Sequence, residues 1–475
     1  MRKHFNIAIL LSIIVATLYI LLSDYYCFPW QDEIYTVDTA VNYVLYGDWN
    51  STVWKYTYPP LYGLLQVGWL FLFGVSHMSV CSLEIVLALI CYLLILRICS
   101  TRKLFTKPIS VYLLFILYWF GFYFPTIFTQ GRMDMLVMLF TILLINRLIS
   151  HDKEKINNVL IAFYAALVAL SALYPLPAIA AFAFFLFLMA EKDQRKDYFK
   201  KGVWVAFGMA IGLCGTMAFS ILTHTLHRSL NTVAELNQNL SVERIPFFQR
   251  VLNGYCDIPT FVMLLVAVLL LKFSRNNTVP KYYALFLFLL PLIMVLAGRY
   301  ERYYFWLAYI PVLLYFVESI DFLKSARLRA ALFTIFGLSS LLYQVYVFQY
   351  PGRYVTDYYN VEKSATLASC RSDVDFAEDI VKGLEGYLCE GTKVFFVSDC
   401  FYYPLVGLSL ELRDIWGGMY ENYVYCDRGV FCALNTDEIN EFVDFCKAND
   451  YSCNIHCLNF GAREGGVITF SKVAR

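Results

Sequence analysis

The chain alternates between long apolar stretches and short polar segments. A helix needs about 20 apolar residues to cross a bilayer core, and most of these stretches approach that length. We therefore predict about eleven transmembrane helices, near residues 5 to 22, 80 to 98, 108 to 127, 130 to 148, 158 to 172, 174 to 190, 202 to 222, 257 to 273, 282 to 297, 303 to 319 and 330 to 349.

The first stretch follows Arg2, Lys3 and His4, as the apolar part of a signal peptide would. It ends in Leu22 to Cys27, where the small residues of a cleavage site are missing. We therefore predict a retained anchor helix.

Basic residues occupy every second loop. If the N-terminus is cytoplasmic, each cytoplasmic loop is basic and the positive-inside rule holds at every crossing. These residues are Arg97, Arg102, Lys103, Lys107, Arg147, Lys153, Lys155, Lys192, Arg195, Lys196, Lys200, Lys201, Lys272, Arg275, Lys281, Lys324, Arg327 and Arg329. The pattern predicts a multi-pass inner (plasma) membrane protein with a cytoplasmic N-terminus and an extracytoplasmic C-terminal domain.

Composition agrees with lipid as the main solvent. Hydrophobic residues make up 59% of the chain and charged residues 16%, far from the average of a soluble protein. The 38 Lys and Arg nearly balance the 37 Asp and Glu, so we expect the lipid bilayer as a partner and no nucleic acid.

The pattern changes after residue 349. Residues 393 to 398 and 466 to 473 read as strands, and 373 to 388 and 436 to 448 as helices. Asn435 and Glu438 have the spacing of a capping box. The predicted fold class is an all-α polytopic membrane protein, residues 1 to 349 with a first extracytoplasmic loop at 24 to 79, plus a small α/β domain at 350 to 475.

Cysteines are concentrated in this tail. An even number of cysteines in an oxidising space favours disulfides. Two alternatives stay open: free thiols, and a zinc site at Cys453, His456 and Cys457. The tail cysteines are Cys370, Cys389, Cys400, Cys426, Cys432, Cys446, Cys453 and Cys457.

The first predicted outer loop is too long for a simple connection and is therefore a functional candidate. Asp32 and Glu33 precede Ile34, Val37, Val41 and Val44, which recur at helical spacing. A second apolar stretch, 61 to 73, follows Pro59 and Pro60 and is too short to span. We predict two interfacial helices. The acidic pair either caps the first of them or takes part in chemistry.

Two further predicted outer hairpins carry charges close to the membrane. Arg132 and Asp134 stand at the outer start of the fourth span, and Arg299 and Arg302 lie just before the tenth, which begins with Tyr303. Ionisable groups at bilayer depth are costly and are functional candidates by default, although Arg132 and Asp134 can also form a structural salt bridge. All emerge on the face of Asp32 and Glu33, so we expect them around one cavity.

The common nucleotide and hydrolase motifs are missing from the sequence. It contains no Gly-x-x-x-x-Gly-Lys-Ser/Thr, no His-Glu-x-x-His and no Gly-x-Ser-x-Gly. An enzyme that works on the outer face, without nucleotides, needs an activated substrate carried by a lipid.

These residues resemble the GT-C superfamily of polyprenyl-phosphate-sugar-dependent glycosyltransferases over about residues 1 to 320, in particular the protein O-mannosyltransferase, aminoarabinose transferase and RgtA-to-D-like branch. The matching parts are Asp32-Glu33, the turn Tyr58-Pro59-Pro60-Leu61-Tyr62 that leads to Leu72-Phe73-Gly74, the hairpin Arg132-Met133-Asp134, and Arg302-Tyr303 before Pro311. The resemblance implies a GT-C fold.

The resemblance also implies roles. Asp32 would be the general base, supported by Glu33, and Asp134 would shape the same site. Arginine binds phosphate in a fork, so the donor phosphate would be bound by Arg132, Arg299, Arg302 and Tyr303. The chain departs from the pattern at Ser171 to Pro175, where related sequences often carry a phosphate-contacting lysine. Some superfamily members use a divalent metal at the carboxylates, so metal use stays open.

The implied function is transfer of a sugar, with inversion, from a polyprenyl-phosphate-linked donor to a lipid, glycan or protein acceptor on the extracytoplasmic face. The alternative is a transporter or flippase of a lipid-linked glycan, which predicts inverted repeats or broken helices near the midplane. A scaffold whose outer domain binds a partner is a third class. The charges lie at outer helix ends, which favours the enzyme.

Overall fold

The structure is a computed structural model of the whole chain. It describes residues 1–23, 31–50, 58–121, 125–129, 131–150, 155–227, 230, 258–272, 281–296, 306–349, 367–388, 392–406, 408, 410–415, 420, 424, 426–460 and 463–473.

Helices dominate the first three quarters of the chain, and each of the eleven predicted spans coincides with one. In chain order the helices are α1 (Arg2–Leu21), α2 (Gln31–Tyr46), α3 (Pro60–Phe73), α4 (His77–Thr101), α5 (Pro108–Trp119), α6 (Pro125–Phe128), α7 (Asp134–Leu148), α8 (Lys155–Ser171), α9 (Leu176–Met189), α10 (Lys192–Leu222), α11 (Ile258–Lys272), α12 (Lys281–Leu296), α13 (Trp306–Asp321) and α14 (Ala326–Gln349).

Four of the described helices are long and apolar enough to cross a bilayer alone: α1, α4, α10 and most of α14. The apolar window is mostly exposed in α1, α10 and α14, as expected for helices that face lipid. That of α4 is mostly buried, so α4 lies inside the protein. The region 158 to 190 holds two helices, α8 and α9, and Pro175 caps the second.

Both helices predicted in the first outer loop are present. α2 begins at Gln31, next to the acidic pair, and α3 begins at Pro60. The apolar positions Ile34, Val37 and Val41 are buried, as their spacing predicts. The polar positions between them, including Asp38, are buried as well. Protein therefore covers α2 on all sides between residues 33 and 42.

The chain divides into two compact units. The first comprises Met1–Ser23, Tyr58–Leu65 and Cys81–Phe348, and the second comprises Asp24–Thr57, Gln66–Val80 and Gln349–Arg475. Most of the first outer loop thus folds in one unit with the C-terminal region. The domain boundaries at residues 349 and 350 stay a prediction.

In the first unit, α10 packs closely on α8 through small residues. Gly208 and Gly212 have the Gly-x-x-x-Gly spacing that lets membrane helices approach each other. A β-carbon on Gly208 would collide with the Ala162 carbonyl, and one on Gly212 with Ala166 and Ala169. The two backbones are therefore in direct contact at these glycines.

A buried carboxylate holds the start of α5 in the first unit. Asp321, at the end of α13, accepts hydrogen bonds from the backbone N–H of Thr106 and Lys107 and from the hydroxyl of Ser110, at 2.7–2.8 Å. The first N–H groups of a helix have no partner within the helix. Asp321 supplies that partner from a segment more than 200 residues away.

The second unit contains a five-stranded sheet of order β2-β1-β3-β5-β4. Strand β1 pairs in parallel with β2 and β3, while β5 pairs antiparallel with β3 and β4. The strands are β1 (Lys393–Phe396), β2 (Glu411–Asp414), β3 (Arg428–Ala433), β4 (Tyr451–Phe460) and β5 (Arg463–Lys472), and the helices of this region are α15 (Leu367–Leu384), α16 (Tyr402–Val406) and α17 (Thr436–Ala448). The predicted α/β domain is present.

The predicted helix start at residue 436 is also present. The Asn435 side chain accepts a hydrogen bond from the Glu438 N–H at 2.9 Å, and the Glu438 carboxylate accepts one from the Leu434 N–H at 2.6 Å. Below this start, Phe431 stacks on Phe442 at 4.1 Å between ring centroids. The cap and the aromatic core fix α17 on the sheet.

The disulfides predicted in the tail are not present among its described cysteines, so that prediction is wrong for six of the eight. Two of the six, Cys432 and Cys446, lie in the core as small apolar side chains. Cys389 and the side chain of Cys370 lie outside the described residues. The six described cysteines of the tail are Cys400, Cys426, Cys432, Cys446, Cys453 and Cys457.

The zinc alternative fails on strand geometry. Successive residues of a strand point to opposite faces, so on β4 His456 faces away from Cys453 and Cys457. The His456 ring instead stacks on Tyr387 at 3.8 Å between ring centroids. These three residues cannot share one metal ion.

We predict that Gly208→Ala lowers the free energy of unfolding by about 1–3 kcal/mol, because the added methyl group meets the backbone of α8. Gly202→Ala is the matched control, since a β-carbon there has no neighbour within 4 Å. Thermal unfolding in detergent should show a lower Tm for Gly208→Ala alone. Equal Tm values for the two variants would contradict the close helix packing.

Candidate functional site

Glu33 lies in the first turn of α2 and is fully buried. Its Oε1 accepts a hydrogen bond from the Tyr403 hydroxyl at 2.7 Å and lies 3.3 Å from Nε2 of His77. The His77 ring also packs against Tyr403, with 5.1 Å between ring centroids. The helix N-terminus adds a positive partial charge at the same carboxylate. All three side chains belong to the second unit.

Two more hydroxyls join α2 to the C-terminal region. The Tyr402 hydroxyl donates to Asp38 at 2.8 Å, and the Tyr46 hydroxyl donates to the Val406 carbonyl at 2.7 Å. Burial and the Asp38 carboxylate raise the pKa of Tyr402 well above its ordinary value, so this side chain stays a donor. We call Tyr46, Tyr402 and Tyr403 the tyrosine clamp.

The sheet explains why the clamp residues are in place. Tyr402 and Tyr403 open α16, which follows a short 3₁₀ turn, Asp399–Phe401, after the carboxyl end of β1. β1 lies between two parallel neighbours, and side chains beyond the carboxyl ends of parallel strands commonly form binding sites. Tyr402 is fully buried, so the packing of this unit fixes the hydroxyls.

A second group of polar side chains lies in the first unit, around Asp134 at the start of α7. Nε of Arg132 lies 3.1 Å from Oδ2 of Asp134. This contact is an ion pair between two buried side chains. The other oxygen, Oδ1, accepts a hydrogen bond from the Tyr174 hydroxyl at 2.6 Å. Arg132 and Asp134 are both buried.

Tyr174 lies in the segment Ser171 to Pro175, where the resemblance led us to expect a phosphate-contacting lysine. Its hydroxyl donates to Asp134, so this segment supplies a neutral donor to a carboxylate.

Glu84 extends this group from α4. Its Oε2 accepts a hydrogen bond from the Met135 N–H at 3.0 Å, and its carboxylate also bonds the Tyr62 hydroxyl. Tyr62 belongs to the turn that carries part of the family resemblance. We call this group the Asp134 cluster; it consists of Asp134, Arg132, Tyr174, Glu84 and Tyr62.

The structure brings together some of the residues predicted for the site. Arg132 contacts Asp134, and Glu33 is held by partners that the sequence did not indicate. The side chain of Asp32 lies outside the described residues, as do Arg299, Arg302 and Tyr303. A single cavity that contains all these groups stays a prediction.

Sequence reasoning missed Glu84, His77, Tyr402 and Tyr403. Glu84 had a signal, because an acid inside an apolar span is a functional candidate. The tyrosines had none, because the chain contains 37 of them and only the folded C-terminal region selects these two. His77 lies three residues before the start of a predicted span, and nothing else in the sequence indicated a role for it.

No protein-family model and no curated protein sequence matches the chain at a significant level. A solved structure does match: the crystal structure of ArnT from Cupriavidus metallidurans bound to undecaprenyl phosphate. The alignment covers 97% of this chain and 97% of that one, with a TM-score of 0.62 and 12% sequence identity. At this identity the likeness concerns the fold. The chain has the GT-C fold of ArnT, with apolar membrane helices followed by a C-terminal domain.

Proposed function

We propose that this protein is a glycosyltransferase that moves a sugar from a polyprenyl-phosphate-linked donor to an acceptor on the extracytoplasmic face. The fold likeness over nearly the whole chain carries the proposal, since the matched ArnT structure holds undecaprenyl phosphate. The buried carboxylates at the starts of α2 and α7 support it. The acceptor is a lipid, a glycan or a protein.

Asp32 is the proposed general base. It directly follows Gln31, the first residue of α2, where the helix N-terminus favours an anion. The adjacent Glu33 is already occupied at Oε1 by Tyr403 and His77. This occupation suits a supporting group, which leaves the proton transfer to Asp32.

The proposed reaction is one displacement with inversion. The acceptor oxygen attacks the anomeric carbon and gives its proton to Asp32, and the bond between that carbon and the phosphate oxygen breaks. The lipid phosphate leaves with the bonding electron pair. Arginine stabilises such a leaving group, and Arg132, Arg299 and Arg302, with Tyr303, are the proposed contacts. Asp134 orients Arg132 through their ion pair.

Glu33 and His77 also raise the question of a metal, since carboxylate and imidazole are common ligands of divalent cations. Oε1 of Glu33 and Nε2 of His77 lie 3.3 Å apart, close enough to bind one cation together. The reaction proposed here does not require it.

We predict that Asp32→Asn lowers sugar transfer at least about 100-fold, because general base catalysis contributes that much or more. The assay uses the full-length protein in nanodiscs with a panel of polyprenyl-phosphate sugars. Asp48→Asn is the matched control, since Asp48 is an exposed carboxylate of the same loop. Normal transfer by Asp32→Asn would remove Asp32 from the mechanism. Donor binding without product from any acceptor would favour the flippase.

We also predict that Tyr403→Phe lowers kcat about tenfold with little change in KM, because Glu33 loses a charge-assisted hydrogen bond. Tyr403 is a positioning residue here. Tyr451→Phe is the control, because its hydroxyl bonds the Cys426 carbonyl in the same unit. A lower Tm for Tyr403→Phe with unchanged kcat would make the clamp purely structural.

A further inference from the structure

One oxygen of the Glu84 carboxylate has a plain structural task at the start of α7. The N-cap residue of this helix, Met133, forms no side-chain hydrogen bond there. Oε2 of Glu84 instead accepts a hydrogen bond from the N–H of Met135 at 3.0 Å. The first N–H groups of a helix have no partner within the helix. Glu84 therefore caps α7 from a position 51 residues earlier in the chain.

The other oxygen of the same carboxylate, Oε1, has no such task. Glu84 is fully buried, and among the residues that the structure describes none forms a hydrogen bond with Oε1. A buried acceptor without a hydrogen bond is costly, and more so when the group is charged. In a native protein such an atom needs an explanation, such as a catalytic role or a bound ion or water.

Asp321 shows that capping a helix does not leave an oxygen unbonded. It stabilises the start of α5, a helix that likewise lacks a side-chain cap of its own. Its Oδ2 accepts bonds from the N–H and the hydroxyl of Thr106, and its Oδ1 from the Lys107 N–H and the Ser110 hydroxyl. Both oxygens of Asp321 are therefore used, whereas Glu84 caps α7 with one oxygen and keeps the other unbonded.

The neighbours of Glu84 connect it with the proposed donor site. The Tyr62 hydroxyl bonds the Glu84 carboxylate, and Met135, which Glu84 caps, directly follows Asp134. Asp134 in turn pairs with Arg132 at 3.1 Å. Oε1 of Glu84 thus belongs to the same cluster as Arg132, a proposed contact of the donor phosphate.

Only one part of a polyprenyl-phosphate-linked sugar can bond a carboxylate oxygen. An ionised carboxylate accepts hydrogen bonds and donates none. The ionised phosphate offers acceptors, and the prenyl chain offers neither donors nor acceptors. The sugar hydroxyls are donors. Because the sugar is bonded directly to the phosphate, a phosphate held by Arg132 places the sugar next to the Asp134 cluster.

A bound water is the simplest alternative partner for Oε1. A buried water needs two to four polar partners, and the Asp134 cluster supplies several. A water would serve Oε1 equally well with any ligand, whereas a sugar hydroxyl makes the affinity depend on the sugar. The two explanations therefore differ in a quantity that can be measured.

We propose that Oε1 of Glu84 accepts a hydrogen bond from one hydroxyl group of the sugar carried by polyprenyl phosphate. Glu84 is then a binding residue that helps to select the donor sugar, in addition to its cap on α7. This inference rests on the proposed function, since it assumes a polyprenyl-phosphate-linked sugar as the ligand. Water is excluded from this carboxylate, which strengthens a charge-assisted hydrogen bond.

The test is lipid binding by the full-length protein in nanodiscs, measured by competition against labelled undecaprenyl phosphate. The probes are undecaprenyl phosphate alone and undecaprenyl phosphate carrying glucose, mannose or arabinose. The wild type should bind at least one sugar-linked probe more tightly than the bare lipid phosphate. Glu84→Gln should weaken binding of that probe about tenfold, the loss of one hydrogen bond to a charged group, and should leave binding of the bare lipid phosphate unchanged.

Asp321→Asn is the matched control. It also replaces a buried carboxylate that caps a helix with an amide of the same shape, in the same unit. Its Tm should fall, because both oxygens of Asp321 are bonded, but it should bind all probes like the wild type. An equal loss of sugar-linked binding in both variants would make Glu84 purely structural and overturn the inference.

A series of single-deoxy sugars keeps the test decisive if Glu84→Gln does not fold. Each deoxy form lacks one hydroxyl of the sugar that binds most tightly. One of these forms should bind the wild type about tenfold more weakly than the parent, and Glu84→Gln should not distinguish that form from the parent. Equal binding of the parent and all deoxy forms by the wild type would overturn the inference without any variant.

The outcomes separate this inference from the proposed function. If Glu84→Gln keeps the full preference for the sugar-linked probe, Oε1 bonds a water and the inference fails, while the proposed function stands. If the wild type binds none of the four probes, the proposed function itself fails, and the inference fails with it.

Discussion

A carboxylate buried away from water must be paired or hydrogen-bonded, and Glu33 meets this need with a tyrosine 370 residues further along the chain. The rest of the second unit follows from that contact. The sheet positions α16, α16 presents Tyr402 and Tyr403, and these hydroxyls fix the start of α2. The C-terminal region is thereby part of the environment of the proposed catalytic loop.

The first unit obeys the same constraint with different partners. Asp134 is bonded by Tyr174 and paired with Arg132, and Asp321 collects the free N–H groups at the start of α5. Each of these contacts either joins segments that are remote in sequence or stabilises the start of a helix. Because water cannot replace these partners inside a membrane, the acids determine which helices can be neighbours.

The helices could be predicted because lipid imposes one simple rule of length and apolarity on every span, and positive loops set their alternation. The buried partners could not, since Tyr403 and His77 look like ordinary residues until the chain folds. Strands β2 and β3 were missed because strands of only 4 and 6 residues lack a distinctive period. Strand β4 was missed although residues 451 to 457 alternate between apolar and polar side chains, because its cysteines and histidine were interpreted as disulfide or zinc candidates. The disulfide prediction failed because it was based on the number of cysteines and on an oxidising compartment, neither of which tells where a cysteine lies in the fold. Cys432 and Cys446 are buried as apolar core residues.

α4 and α7 carry acids near their starts and arginines near their ends, a sign pattern that the helix dipole favours in any protein. The dipole explains the sign of these charges and not their depth. Asp134 is buried, although an exposed acid would interact with the dipole at a lower desolvation cost. Arg97, by contrast, is exposed. The burial of the acid therefore needs an explanation other than the helix dipole, which favours chemistry at the acidic end of these helices.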